Sequence, residues 1–124
     1  MVDSKSKILI VEDDLSSQQY YSIIFDEKYE IYIAPTVAGA KQILKEHEFK
    51  VAIVDISLPG GESGIDLIKY MFQEYPQKPV AIAVTAHAFT KSQVDAQKAG
   101  AVEFFSKPVM SGVLLATVDK YYKA

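Results

Sequence analysis

Apolar residues follow two rhythms that alternate along this chain. Near-continuous aliphatic or aromatic runs cover residues 7–11, 51–55, 80–84 and 102–106, as expected of strands buried on both faces of a parallel sheet. Residues 30–34 alternate polar with apolar instead, which suits a strand nearer the sheet edge. Between the runs the spacing becomes helical. A first helix over about residues 15–27 carries Tyr20, Ile23 and Ile24 as its buried stripe, with Asp14 or Ser16 as cap. Val37, Ala40, Ile43, Leu44 and His47 mark a second helix, with Phe49 leading into the next strand. Ile65, Ile68, Met71, Phe72 and Tyr75 mark a third, which Pro76 stops. Phe89, Val94, Ala96 and Ala99 give only a thin apolar face, so the helix over about residues 91–99 is expected to be marginal and mobile. Met110, Val113, Leu114, Val118 and Tyr121 or Tyr122 supply a last amphipathic helix.

Five strands and five helices in strict alternation predict right-handed crossovers and a parallel sheet covered on both faces. The expected architecture is α/β: a flavodoxin-like, doubly wound (βα)5 three-layer sandwich with strand order 2-1-3-4-5, forming a single domain over residues 1–124. In such sheets ligands bind beyond the carboxyl ends of the strands. The residues delivered there are therefore the candidates for chemistry. Strand 1 ends at Glu12, Asp13 and Asp14, strand 3 at Asp55, strand 4 at Thr85, and strand 5 at Lys107-Pro108.

Composition narrows the partners. With 49% apolar and 23% charged residues the chain falls in the globular class, and its formal charge of −3 gives no electrostatic case for nucleic acid or an anionic membrane. There are no cysteines, which removes disulfides, thiolate metal sites and thiol nucleophiles. No stretch is long and apolar enough to insert in a membrane, and the polar start lacks a signal peptide's apolar centre, so the expected location is cytoplasmic.

Glu12, Asp13 and Asp55 are expected at the ends of adjacent strands 1 and 3. Carboxylates so close repel, so either their pKa values rise or a cation neutralises them. Oxygen ligands suit Mg2+, with Mn2+ an acceptable substitute. Lys107 can reach across as a compact cation and Thr85 can offer its hydroxyl. A phosphoryl group on Asp55 would meet the charge-stabilising groups that phosphoryl transfer needs, and a carboxylate can serve as a covalent acceptor.

At this point the chain resembles the receiver domains of two-component response regulators, of the chemotaxis-regulator type. The resemblance rests on Glu12-Asp13 after strand 1, Asp55 with Leu58-Pro59 after strand 3, Thr85-Ala86 after strand 4 and Lys107-Pro108 after strand 5. It implies Asp55 as phosphoacceptor, Asp13 as direct metal ligand, Glu12 acting mainly through water, and the Ser57 carbonyl completing the protein's share of the Mg2+ shell. Thr85 and Lys107 would grip the phosphoryl oxygens. The donor would be a histidine kinase or histidine phosphotransfer protein, and a downstream partner would read the face of helix 4, strand 5 and helix 5. Ser57 and His87 border the path of the attacking water and would set the lifetime of the phosphorylated state.

Two features depart from the family pattern. Phe104 stands where a switching tyrosine is frequent, and it can rotate but cannot hydrogen-bond. The loop over residues 59–64 is one residue longer than the common form.

Each feature has a plainer reading when taken alone. An acidic run suits a helix N-terminus, an Asp at a strand end is commonly a turn residue, Thr85 is a β-former, Lys107 a solvated lysine, and His47 a border residue of helix 2. The tyrosines read as amphipathic core-edge residues, although Tyr121, Tyr122, Phe89 and Phe105 could form a partner patch. Competing functions are an aspartate-nucleophile phosphatase, which would need an acid where Ser57 stands, a flavin carrier on the same fold, and a docking domain that works unphosphorylated.

Overall fold

The computed structural model describes residues 6–58, 63–75, 79–86 and 90–123. Strands β1 (Ser6–Val11), β2 (Tyr29–Ala34), β3 (Val51–Asp55), β4 (Val80–Thr85) and β5 (Ala101–Ser106) alternate with helices α1 (Leu15–Phe25), α2 (Val37–Glu46), α3 (Gly64–Glu74), α4 (Thr90–Ala99) and α5 (Ser111–Lys123). All pairings are parallel and the sheet order is β2-β1-β3-β4-β5, as the alternation predicted. No helix among the described residues is long and apolar enough to cross a membrane.

The sheet divides the core into two layers because successive side chains point to opposite faces. Leu9, Val11, Ala52, Val54, Ala81 and Ala83 pack towards α2, α3 and α4. Ile8, Ile10, Val51, Ile53, Ile82 and Val84 pack towards α1 and α5. Burial on both faces explains why β1 and β3 read as unbroken aliphatic runs. Between β4 and β5 the register shifts: Ala81 pairs with Ala101 but Ile82 pairs with Glu103, so Val102 is the extra residue of a β-bulge.

The helices exist where expected, with local corrections. Asp14, not Ser16, caps α1 by accepting the Ser17 amide hydrogen at 2.8 Å. The buried stripe of α1 is Tyr21 and Phe25, while Tyr20 is exposed and Ile23 is 80% exposed. Apolar residues occur nearly all round this helix, so spacing alone fits more than one face, and the large Phe25 ring takes the interior. In α3, Leu67 joins Ile68 and Met71 inside, while the exposed Phe72 lies against Gly100 at the end of α4. In α5 the stripe is Leu114 and Val118; Met110 and Val113 face outward. His47 closes α2, and its ring stands 4.4 Å from that of Tyr32 and 6.3 Å from that of Phe49, the border position expected of it. Phe89 and Pro76 lie outside the described residues.

Candidate functional site

The carboxyl ends of β1, β3, β4 and β5 converge on one pocket. The register places Val11 beside Val54, Asp55 beside Val84 and Thr85 beside Ser106, so the residues ending these runs become neighbours. Glu12, Asp13 and Asp55 each present a carboxylate oxygen within 4.8 Å of the others. Lys107 reaches in from beyond β5, its Nζ 3.0 Å from Asp55 Oδ2 and 2.5 Å from Glu12 Oε1. Glu12 is 1% exposed and Asp55 5%, whereas Asp13 faces solvent. Two acids thus sit inside, and one stands at the mouth.

Each loop end is fixed by hydrogen bonds. The Glu12 N–H donates to the Ala34 carbonyl at 3.0 Å, the Ile56 N–H to Val84 at 3.1 Å and the Lys107 N–H to Thr85 at 2.8 Å. The Asp14 amide donates to Glu12 Oε2 at 3.1 Å, and the Ser57 amide to Asp55 Oδ1 at 2.9 Å. Asp55 is therefore held through both oxygens, by an amide on one and an ammonium on the other. Tyr20 donates its hydroxyl to the Val109 carbonyl at 2.6 Å, tying α1 to the loop that carries Lys107. Beside it, Ser16, Ser17, Tyr21 and Val109 help line a cavity of about 500 Å3 that has Lys107 in its wall.

The electrostatics follow from burial and pairing. Burial raises the Glu12 carboxyl above the ordinary carboxylate range, and the bonds from Lys107 and the Asp14 amide only partly oppose it. For Lys107, burial alone would favour the neutral amine, but hydrogen bonds and charge from Glu12 and Asp55 outweigh it and hold the group raised and protonated. With all three acids ionised, one ammonium against three carboxylates leaves two negative charges. An all-oxygen donor set of that charge, open on the Asp13 side, fits a hard divalent cation.

The residues proposed from the sequence are thus largely brought together. Thr85 is fully buried at the end of β4, and Ser57 is exposed just after Asp55. Phe104 is half-buried and packs into the layer facing α3 and α4, while Phe105 packs into the opposite one. His87 and residues 59–62, the larger part of the longer loop, lie outside the described residues. Two residues were not anticipated. Gln18 donates its side-chain amide to the Glu12 carbonyl at 2.7 Å. Gly64 opens α3 so close to β3 that a Cβ there would lie 2.2 Å from the Asp55 carbonyl oxygen.

Comparison with known proteins supplies independent findings. A family model described as the response regulator receiver domain matches residues 8–119. The response regulator protein PilR of Pseudomonas aeruginosa is 37% identical over 112 residues, covering 90% of this chain and 25% of PilR. The alginate biosynthesis transcriptional regulatory protein AlgB of Pseudomonas putida is 32% identical over 107 residues, covering 86% of this chain and 23% of AlgB. The chain thus spans about a quarter of the length of the curated relatives it matches. Among solved structures, a CheY-like receiver domain protein from Methanospirillum hungatei superposes with a TM-score of 0.86 at 30% identity, covering 97% of this chain and 98% of that one. The beryllofluoride-activated NtrC4 receiver domain dimer gives 0.86 at 30% identity, covering 94% and 96%.

Proposed function

Because the chain belongs to the response regulator receiver domains of two-component signalling, we propose that Asp55 is its phosphoacceptor, taking a phosphoryl group from a histidine of a kinase or phosphotransfer protein. The observation that carries this reading is the Lys107 ammonium bridging Asp55 and Glu12 in a cluster that also gathers Asp13, with Thr85 ending the strand beside β3. Family membership does not favour the phosphatase, flavin-carrier or phosphorylation-independent docking readings.

The chain's own groups account for most of the transfer. An Asp55 carboxylate oxygen attacks phosphorus as the donor's P–N bond breaks, and the bonding pair leaves with the imidazole nitrogen. The Ser57 amide and Lys107 ammonium hold Asp55 by its two oxygens, so the nucleophile arrives oriented. Lys107 then neutralises charge spreading over the phosphoryl oxygens, and Thr85, at the adjacent strand end, is the hydroxyl assigned to the same group. Glu12, Asp13 and Asp55, with the Ser57 carbonyl, would hold Mg2+, which when bound offsets charge between acceptor and phosphoryl group.

When phosphoryl oxygens draw Lys107 and Thr85, β5 and its flanking helices feel the change first. We assign readout by a downstream partner to the face of α4, β5 and α5, with Phe104 as the side chain that changes rotamer. Phe104 has no hydroxyl with which to follow Thr85, so its response rests on packing.

Incubation with acetyl phosphate and Mg2+ tests the assignment by intact mass. The wild type should gain one phosphoryl mass, and Asp55→Asn none. A phosphoryl adduct on Asp55→Asn, or none on the wild type, would overturn it.

A further inference from the structure

We propose that Gln18 is a positioning residue for the metal-binding side of this site, acting on Asp13 through the backbone. The proposal rests on the reading that Glu12, Asp13 and Asp55 hold Mg2+. Gln18 Nε2 donates to the Glu12 carbonyl oxygen at 2.7 Å, reaching back from the first turns of α1 across the whole Glu12-Asp13-Asp14 turn.

A peptide unit is rigid and planar, so the Glu12 carbonyl, the Asp13 amide and the Asp13 Cα move together. A hydrogen bond at that oxygen therefore fixes where Asp13 starts. The rest of Glu12 is already anchored, by its N–H to Ala34 at 3.0 Å and by its side chain to Lys107 and the Asp14 amide. On the far side, Asp14 is locked by its cap to the Ser17 amide and by the Gln18 N–H donating to its carbonyl at 2.9 Å. Asp13 lies between these anchors and is exposed, so apolar packing does not aim its carboxylate. Its bearing comes from the backbone, and Gln18 holds the peptide that leads into it.

The residue type is constrained. Asparagine is one methylene shorter. An ionised glutamate of equal size has no donor and would set negative charge against a carbonyl oxygen beside three acids. Gln18 is half-buried at helical spacing from Tyr21 and Phe25, which turns its side chain away from open solvent.

A metal ligand left without this support must be ordered when the cation binds. Loss of outer-shell support of this kind typically lowers metal affinity by about tenfold or more. Calorimetric titration of the unphosphorylated protein with Mg2+ should show about tenfold weaker binding for Gln18→Met than for wild type, with Gln18→Glu also weakened. Gln19→Met, the same change at the exposed neighbouring position, should titrate as wild type. With acetyl phosphate as donor, the Mg2+ concentration for half-maximal phosphorylation of Gln18→Met should rise by about the same factor while the plateau rate stays near that of wild type. Thermal melting without metal separates this from a folding defect, and Gln18→Glu is the second variant should Gln18→Met melt early. A wild type that titrates with Gln18→Met and Gln18→Glu unchanged, or a plateau rate that falls at constant half-saturation, overturns the role of Gln18 alone. A wild type that neither binds Mg2+ nor takes phosphoryl overturns the underlying reading as well.

Discussion

Gly64 sits where α3 meets the backbone that carries Asp55. A Cβ at this position would lie 2.2 Å from the Asp55 carbonyl oxygen and 2.5 Å from the Ile56 Cα, both backbone atoms that cannot swing away. The Gly64 N–H also donates to the Ile56 carbonyl at 3.3 Å, so helix and strand touch directly. Gly64→Ala is therefore expected to cost about 3 kcal/mol through overpacking, read as a fall in the urea midpoint with an unchanged slope. An unshifted midpoint would mean that α3 can retreat freely. At this scale the site was legible wherever a reactive residue ends an apolar run: Glu12, Asp55, Thr85 and Lys107 are all marked by the strand before them. Gly64 and Gln18 were not, because their roles depend on contacts between elements.

Among the elements, α5 shows how the fold is closed at the end opposite the site. Asp119 accepts hydrogen bonds from the Tyr29 hydroxyl and from Lys28 Nζ, the latter at 2.7 Å. The Tyr122 ring stands 4.8 Å from that of Tyr29, its hydroxyl donates to the Lys7 carbonyl, and Lys50 Nζ donates to the Tyr122 carbonyl at 3.3 Å. Partial burial alone would raise the Asp119 carboxyl, but the bonds from Lys28 and Tyr29 win and hold it below its ordinary 3.8. A lowered folded-state pKa means that the stabilisation is present above the ordinary value and fades as pH falls through the folded one. Asp119→Asn should then cost about 1 kcal/mol at pH 7, with the gap to wild type closing below about pH 4. Paired urea melts at pH 7 and pH 3 check this, and a gap as wide at pH 3 as at pH 7 would reject the ionic origin. Element existence was legible from rhythm, but the buried face of α1 was not. With apolar residues on nearly every side, that helix offers no polar face to contrast with, and only its packing against the sheet identifies Tyr21 and Phe25.

For the molecule as a whole, strand order and the site's place were legible together. Continuous aliphatic runs mark β1, β3 and β4 as interior, and parallel strands carry all their carboxyl ends to one edge. The register within that edge was not legible, because the extra residue Val102 leaves no mark in the apolar pattern of its strand. Its consequence is one of parity. With Ala101 set against Ala81, pairing Val102 with Ile82 would bring Phe104 opposite Val84, on the α1 and α5 side, and carry Ser106 past Thr85. The odd residue turns Phe104 to the opposite layer and brings Lys107 to the acids. Deleting Val102 should therefore leave a regular ladder with Glu103 still against Ile82 and Ser106 still against Thr85, so phosphoryl uptake should persist by mass, whereas inserting one residue between Glu103 and Phe104 should carry Lys107 past the acids and abolish it. Uptake preserved in the insertion would show that β5 can restore its alignment elsewhere. One valine left out of the ladder at the remote end of an edge strand thus lets the residues beyond it keep step with β4, so that Phe104 and Phe105 face opposite layers and Lys107 meets the acids.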